Sequence, residues 1–250
     1  GYAILGIALY IVGGMSPFDA VNHAFAAVST GGFSTRVESI AYWDSAWIEA
    51  VTIVLMILGN LNFATAYLLL RGRTRAFFGN GEIKVLGAGI LVGTGLLLSF
   101  TCLGLYTGAS ESVRIALFQA VSAITTTGFS TVGYADWNAL GIVVMVVLML
   151  IGGGTGSTAG GIKQQRIYLM CRAVIGELRR PFLPAGAVVE RWAWEGENRV
   201  IVSPDRVRRT GTFVFLYVSV YAVGTMILAA HGLSLSDAMF EFASALGTVG

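Results

Sequence analysis

Residues 26–35 read AAVSTGGFST, and residues 122–131 read SAITTTGFST, with six of the ten positions identical. A shorter copy, SALGTVG, stands at residues 244–250. Three related segments indicate an internal repeat, and a repeat decides the architecture before any local motif does. The alignment superimposes three glycines: Gly32, Gly128 and Gly250. A complete unit has a long apolar segment on each side of a strip rich in Ser, Thr and Gly.

The composition around these strips is that of a membrane protein. Hydrophobic residues make up 55% of the 250 residues, charged residues 12%, and the mean hydropathy is +0.74. Soluble domains carry about 25% charged residues. This composition excludes a disordered chain, a coiled coil and a nucleic-acid binder with a basic face. Cys102 and Cys171 are too few, and too differently placed, for a disulfide framework or a zinc site.

Five long intervals lack Asp, Glu, Lys and Arg, and a helix that crosses the hydrocarbon needs about 20 apolar residues. We predict a span in each of them: 1–18, 50–70, 85–110, 138–162 and 210–236. Two further uncharged intervals, 20–35 and 115–135, have Ser, Thr and Gly through their centres. They predict re-entrant segments, because such sequences make poor lipid-facing helices.

Positive charge supports this topology, since Lys and Arg collect in cytoplasmic loops. Fourteen of the sixteen lie within 71–84 or 163–209, and only Arg36 and Arg114 lie elsewhere. Both basic segments share one side only if both Ser/Thr/Gly intervals enter and leave on the outer side. The alternative is a simple stack of spanning helices, which would separate the basic segments.

The predicted outer side is rich in carboxylates. They are Asp19, Glu38, Asp44, Glu49, Glu111, Asp136, Asp237 and Glu241. A negative mouth concentrates cations. Asp19 and Asp237 also stand where a carboxylate would cap a short helix, and the two interpretations are compatible.

The strips themselves predict an ion filter. Irregular backbone at membrane depth must be buried in protein or line a watery path, and a ring of backbone carbonyls replaces the hydration shell of potassium in a selective filter. The predicted filter residues are Ser29, Thr30, Gly31, Gly32, Thr125, Thr126, Thr127, Gly128, Gly247, Thr248, Val249 and Gly250. The alternative, small residues for tight helix packing, suits Gly89 and Gly93 better.

A second glycine-rich stretch, GGGTGSTAGG at 152–161, interrupts the apolar interval 138–162. Six glycines in ten residues cannot form a stable straight helix, so we predict a broken helix and a gate below the filter. The predicted gate residues are Gly152, Gly153, Gly154, Thr155, Gly156, Ser157, Thr158, Gly160, Gly161 and Lys163. Lys163 either pairs with an acid or lies near the permeation path, or else marks the membrane boundary. A nucleotide-binding loop is rejected, since neither a preceding strand nor a Gly-Lys-Ser/Thr sequence is present.

Polar residues in apolar surroundings need partners. His23, Gln119 and Glu241 each precede their glycine by nine residues, and we expect them to form hydrogen bonds behind the strips. Asn60 and Asn62 stand in the middle of a predicted span, where unpartnered amides are costly. We expect interhelical hydrogen bonds for this pair, with pore lining as the alternative.

With these motifs the chain resembles the TrkH/TrkG/KtrB/HKT superfamily of potassium transporters, most closely the TrkH branch. The resemblance rests on STGGFST at 29–35, TTTGFST at 125–131, SALGTVG at 244–250 and IGGGTGSTAGGIK at 151–163. It implies four helix–pore-loop–helix repeats around one pore, of which this chain would hold the second, the third and the start of the fourth. Filter glycines carry over to Gly32, Gly128 and Gly250, and glycine rather than serine at these positions goes with potassium preference in the family. The first filter would lie outside this sequence, which leaves the selectivity partly open.

The predicted architecture is therefore an all-α multi-pass membrane protein with tandem parallel repeats around a central pore. The predicted boundaries are 1–70 for the second repeat, 71–84 for a cytoplasmic loop, 85–178 for the third repeat, 179–210 for a second loop and 211–250 for the start of the fourth repeat. The chain reads as a piece of a longer protein.

The predicted function is potassium uptake across a bacterial-type cytoplasmic membrane through a carbonyl filter with a glycine-rich gate. The chain is not expected to be an enzyme, to hold a cofactor or to bind nucleic acid. The resemblance implies a homodimer in the lipid bilayer and a cytosolic nucleotide-binding regulatory subunit of the TrkA type. The alternatives are a sodium-permeable or weakly selective pathway of the same fold and a secondary transporter of an organic substrate.

Overall fold

The computed structural model describes residues 1–182, 184, 192–195 and 198–250. Part of the predicted loop 179–210, namely residues 183, 185–191 and 196–197, lies outside the described residues. The described part of the chain is mostly helical, as the apolar intervals predict.

The first helices follow the predicted order with two corrections. Helix α1 spans Tyr2–Val12 and ends before residue 18, because Ser16 caps a new helix, α2, at Pro17–Val28. The predicted span 50–70 is wrong as a single helix. It divides into α3 (Ala46–Asn60) and α4 (Phe63–Leu70), and Leu61 between them is extended with φ −71° and ψ 140°.

The middle of the chain contains a long helical run. A short helix, α5 (Thr74–Gly79), lies in the predicted loop 71–84. Helix α6 (Gly81–Leu97) continues through a π-helical turn at Leu98–Cys102 into α7 (Leu103–Leu105). Helix α8 (Ala109–Ile124) follows and begins the second Ser/Thr/Gly interval.

The predicted break in the interval 138–162 is confirmed. Helix α9 (Ala139–Ile151) ends at Gly152, and helix α10 begins again at Gln164–Arg179, followed by a 3-10 turn at Arg180–Phe182.

The described part of the predicted loop 179–210 contains regular secondary structure that the sequence did not predict. Strands β1 (Trp192–Glu195) and β2 (Asn198–Ile201) pair antiparallel, with Trp192 opposite Ile201. Helix α11 (Pro204–Ala230) begins six residues before the predicted start because Ser203 caps it and Pro204 opens it. Helix α12 spans Leu235–Gly247.

The two larger of three buried clusters among the described residues hold most of these helices together. One lies chiefly among α6, α8 and α9, and the other among α1, α2 and α3. A Cβ on Gly89 would lie 2.2 Å from Cδ1 of Ile124, and one on Gly93 would lie 2.8 Å from Cδ1 of Leu148. The predicted packing role of these two glycines is therefore confirmed.

The outside of the bundle is apolar. Two helices among the described residues are long and apolar enough to cross a membrane, Gly81–Leu105 and Pro204–Ala230. Leu91 on the first is 76% exposed and Phe215 on the second is 71% exposed. Soluble monomers rarely expose extended apolar surface, so this exterior suits lipid better than water.

Candidate functional site

Helices α2, α8 and α12 end in the same backbone motif. An amide after each helix reaches back five residues: Gly31 N to Ala26 O at 2.8 Å, Thr127 N to Ser122 O at 3.0 Å, and Val249 N to Ser244 O at 2.8 Å. A second amide in each copy, one residue earlier, reaches back three residues. This is the Schellman arrangement, which satisfies the last carbonyls of a helix and reverses the chain. We call residues 29–32, 125–128 and 247–250 strip 1, strip 2 and strip 3.

A threonine occupies the left-handed position in every strip. The φ angles are 52° at Thr30, 52° at Thr126 and 57° at Thr248. Glycine is the usual residue at this position of the motif, and a β-branched residue with positive φ is a conformational outlier. Such strain costs about 1–3 kcal/mol per residue and persists only where the surrounding structure enforces it. Its recurrence in three copies indicates a role for the threonine side chain.

The glycines two residues later bring the strips together. Gly32, Gly128 and Gly250 have φ of 66°, 89° and 105°. A Cβ on Gly32 would lie 2.0 Å from the carbonyl oxygen of Thr127, and one on Gly128 would lie 2.2 Å from that of Val249. The nearest atom to the same position on Gly250 is the carbonyl oxygen of Gly31, at 3.9 Å. The glycines of strips 1 and 2 thus each face a carbonyl oxygen of the next strip at close range, whereas strip 3 only touches strip 1.

The glycine-rich loop, residues 152–163, lies against all three threonines. Gly160 N donates to Oγ1 of Thr126 at 2.7 Å. Oγ1 of Thr30 lies 3.0 Å from Oγ1 of Thr158. A Cβ on Gly160 would lie 2.2 Å from Oγ1 of Thr248, so only glycine fits there. The two sets of site residues predicted separately from sequence are therefore in direct contact.

The loop is closed at its base. Gly153 N donates to Gly160 O at 3.1 Å, and Gln164 N donates to Gly153 O at 2.8 Å. The Gln164 side chain is 1% exposed and donates through Nε2 to Gly152 O at 3.1 Å. Sequence reasoning missed Gln164, because a glutamine at a helix start carries no signal of a partner twelve residues earlier.

The opposite side of the loop contacts the break between α3 and α4. Gly154 N lies 3.3 Å from both the carbonyl oxygen and Oδ1 of Asn60, and Nδ2 of Asn62 donates to the carbonyl of Thr155. These asparagines form hydrogen bonds, but the predicted interhelical partner is wrong, because both bond to the backbone of the loop and not to a neighbouring helix. Glu82 at the start of α6 accepts from Thr155 N at 2.8 Å. Sequence reasoning missed Glu82, for which the signal was a carboxylate next to a long apolar segment.

Lys163 ends the loop with φ of 85°. Its ammonium donates to the carbonyl of Ala159, within the loop itself. The hydrogen-bond partner of Lys163 is thus a backbone carbonyl. That Lys163 lies near a permeation path stays a prediction.

Two of the three polar residues on the short helices are bonded behind the strips, as predicted. His23 lies within 2.8 Å of Asp19 O through Nδ1 and within 2.9 Å of Ser34 Oγ through Nε2. Gln119 accepts from the Tyr134 hydroxyl at 2.7 Å. Glu241 is exposed and borders a cavity of about 310 Å³ that Asp237 also lines.

Asp19 fastens the chain that leaves strip 1. Its carboxylate accepts from Thr35 Oγ1 at 2.5 Å and from Arg36 at 3.0 Å, while Ser16 Oγ accepts from Asp19 N at 3.1 Å. The Thr35 hydroxyl, followed by Ser16 and Arg36, outweighs burial and lowers the pKa of Asp19 to about 2. The carboxylate is therefore ionised at all physiological pH values.

A bundle of helices with an apolar exterior and irregular backbone segments in its interior is typical of multi-pass membrane proteins. The profile of a family described as "TrkH: Cation transport protein" matches residues 3–77 and 106–250. The chain belongs to this TrkH family of cation transport proteins.

Individual relatives agree with the family match. The chain is 30% identical to the Trk system potassium uptake protein TrkH of Escherichia coli K12 over 99% of its own length and 51% of the relative's. It is 30% identical to the Trk system potassium uptake protein TrkI of Halomonas elongata, over 100% and 50%. The crystal structure of the potassium transporter TrkH from Vibrio parahaemolyticus superimposes with a TM-score of 0.83 at 32% identity, over 100% of this chain and 53% of that one. The chain thus spans about half the length of the relatives it matches.

Proposed function

We propose that the full-length protein takes up potassium ions across the cytoplasmic membrane, through a filter to which strips 1, 2 and 3 each contribute one side. The observation that carries the proposal is the threefold recurrence of a left-handed threonine and a positive-φ glycine, with the glycines of strips 1 and 2 each facing a carbonyl oxygen of the next strip. Carbonyl oxygens can replace the hydration shell of an ion. The named activity of the potassium uptake relatives supports potassium as the ion.

The proposed repeat follows from the same feature. Strips 1 and 2 are each preceded by a short helix and followed by a long apolar segment, and strip 3 is preceded by a short helix as well. We propose the boundaries 1–70, 85–178 and 211–250 for the second, third and beginning fourth units of a four-unit pore, joined by cytoplasmic loops at 71–84 and 179–210. Glycine at Gly32, Gly128 and Gly250 favours potassium over sodium, as in the family.

The glycine-rich loop is proposed as the gate. It lies against the threonines of all three strips, next to the C-terminal ends of the short helices α2, α8 and α12. An ion leaving the strips towards the cytoplasm would meet it. Its hydrogen bonds to hydroxyl groups are of ordinary strength, about 0.5–1.5 kcal/mol each, so a regulatory event can displace it. The family resemblance supplies the partners of this proposal: a second copy of the chain and a cytosolic nucleotide-binding subunit of the TrkA type.

The test uses the full-length protein in liposomes, with rubidium uptake as the readout and sodium as competitor. In Gly128→Ser, a side chain enters at φ 89° and 2.2 Å from the Val249 carbonyl oxygen, and we expect sodium entry or loss of uptake. The matched control is Gly133→Ser, because a Cβ on Gly133 has no neighbour within 4 Å. It should leave uptake unchanged.

Each other outcome decides against part of the proposal. Uptake with equal sodium and rubidium permeation in the unmodified protein favours the weakly selective pathway. Indifference to Gly128→Ser argues against a carbonyl filter and favours a secondary transporter of an organic substrate.

A further inference from the structure

A buried carboxylate holds the far side of the glycine-rich loop. Glu82 is 5% exposed in the first turn of α6, and its Oε1 accepts from Thr155 N at 2.8 Å. Asn60 and Asn62 bind the adjoining residues of the loop, through Gly154 N and the Thr155 carbonyl. We call Glu82, Asn60 and Asn62 the latch. They come from two separate helical segments and do not belong to any strip.

The latch matters because the tip of the loop has little packing of its own. Thr155, Gly156 and Thr158 are exposed. The position of the tip therefore depends on hydrogen bonds: those of the strip threonines, those of the latch, and those from Thr158 Oγ1 to the carbonyl oxygens of Val28 and Gly59, both at 3.3 Å. A bond to a carboxylate is stronger than one between neutral groups, which makes Glu82 the principal member of the latch.

Glu82 is also connected towards the predicted cytoplasmic side. Glu82 N donates to Oδ1 of Asn80 at 3.0 Å, and Nδ2 of Asn80 donates to Oγ1 of Thr65 on α4 at 2.9 Å. A Cβ on Gly81 would lie 2.3 Å from the ring of Tyr168 on α10. The first turn of α6 is thus wedged between α4 and α10, and a relative shift of these helices would move the Glu82 carboxylate.

We propose that Glu82 is a positioning residue that holds the glycine-rich loop against the strips. A shift of α6 relative to α10 withdraws the Glu82 carboxylate from the loop, and the release of the loop opens the pore. This inference rests on the proposed function, in which the loop is the gate.

The experiment follows the loop and the uptake separately in the full-length protein in liposomes. The loop reporter is a cysteine introduced by Ser157→Cys, at a half-buried position, in a background where the exposed Cys171 is replaced by serine. A charged methanethiosulfonate reagent is applied from the cytoplasmic side. Cys102, which is 0% exposed, reports any general loosening of the bundle. Rubidium uptake is measured without a regulatory subunit.

We expect Glu82→Ala to raise the labelling rate of the reporter cysteine about tenfold, the effect of losing one charge-assisted hydrogen bond, and to raise unregulated uptake. Glu82→Gln keeps an acceptor oxygen and should raise both by less. The matched control is Glu177→Ala, which removes a carboxylate from the exposed ion pair with Arg180 that follows α10. It should change neither.

The outcomes separate the latch from the gate. Faster labelling with unchanged uptake would support the latch and overturn the gating part of the proposed function. Unchanged labelling of the reporter cysteine, or equal acceleration at Cys102, would overturn the latch whatever the uptake. If Glu82→Ala does not assemble, Glu82→Gln decides by the same comparison.

Discussion

At the scale of single residues, the threonines of the strips accept conformational strain and gain contacts with the loop. Glycine would occupy the left-handed position without cost, yet Thr30, Thr126 and Thr248 stand there. Thr126 makes the clearest use of its hydroxyl, which accepts from Gly160 N at 2.7 Å while the side chain is fully buried. The hydroxyl therefore couples strip 2 to the loop.

Thr126→Val tests this coupling, because valine keeps the shape and the strain but removes the acceptor. The Gly160 amide would be left unpaired, at a cost of about 1–3 kcal/mol. We expect hydrogen exchange of residues 158–163 to accelerate by about tenfold or more, measured by mass spectrometry. Thr126→Ser, which keeps the hydroxyl, should exchange at the original rate. Equal exchange in the valine variant would contradict the coupling.

Asp19 provides a pH-dependent prediction at the same scale. Its pKa is lowered to about 2 in the folded protein, and an unperturbed aspartate titrates near 3.9. Its stabilising contribution is complete above about pH 4 and is lost as the pH falls towards 2. At pH 6, the Asp19→Asn variant should therefore unfold in detergent at a lower temperature than the unmodified protein. This difference in unfolding temperature should be smaller at pH 2.5.

Asp136→Asn serves as the control for Asp19, since Asp136 is an exposed carboxylate on the same predicted side. Its variant should unfold like the unmodified protein at both pH values. A difference for Asp19→Asn that is constant with pH would mean that the carboxylate charge is not what fastens residues 35 and 36.

At the scale of elements, sequence predicts a break well where the local residues cause it. Helix α9 ends at Ile151, as the six glycines of 152–161 predict, since no tertiary contact is needed to disfavour a helix there. The break after Asn60 was not predicted, because no Gly or Pro stands between Asn60 and Phe63. That break depends on bonds to a loop more than ninety positions later. The site follows the same rule: the glycines of the strips were found, whereas Glu82 and Gln164 were not.

The joint between α6 and α9 gives the element-scale prediction. Asn138 caps α9 by accepting from Gly141 N at 2.8 Å, and its Nδ2 donates to Phe100 O in the π-helical turn at 2.5 Å. Oδ1 of Asn138 also accepts from Thr101 Oγ1 at 3.1 Å. Asn138→Ala removes all three bonds and should destabilise the protein by about 1–3 kcal/mol. Thermal unfolding in detergent measures this, and Asn138→Asp, which keeps the cap, should lose less.

Asn22→Ala is the matched control for Asn138, because the exposed Asn22 amide bonds only to Phe18 O on its own helix among the described contacts. It should unfold at nearly the same temperature as the unmodified protein. Equal losses for Asn22→Ala and Asn138→Ala would mean that the joint between the two helices contributes nothing.

At the scale of the whole molecule, the remaining question is the side on which each segment lies. Hydropathy alone counts seven uncharged intervals, and charge alone favours five crossings with two re-entrant segments. The structure ends α2 and α8 at Val28 and Ile124, well before the predicted intervals finish at 35 and 135. These helices of 12 and 16 residues are about 18 and 24 Å long, shorter than the roughly 30 Å of hydrocarbon.

If α2 and α8 are re-entrant, the number of membrane crossings between positions 75 and 205 is even. Single cysteines in right-side-out and inverted vesicles can test this. Arg75→Cys and Asp205→Cys, both at exposed positions, should react with an impermeant reagent from the same side, the cytoplasmic one. Glu38→Cys and Asp136→Cys, also at exposed positions, should react only from the other. If α2 and α8 with their strips crossed the bilayer, an extra crossing would lie between positions 75 and 205, and the cysteines introduced there would react from opposite sides. That result would exclude any pore in which the three strips enter from a common mouth, because strips 1 and 2 would then end on different faces of the membrane.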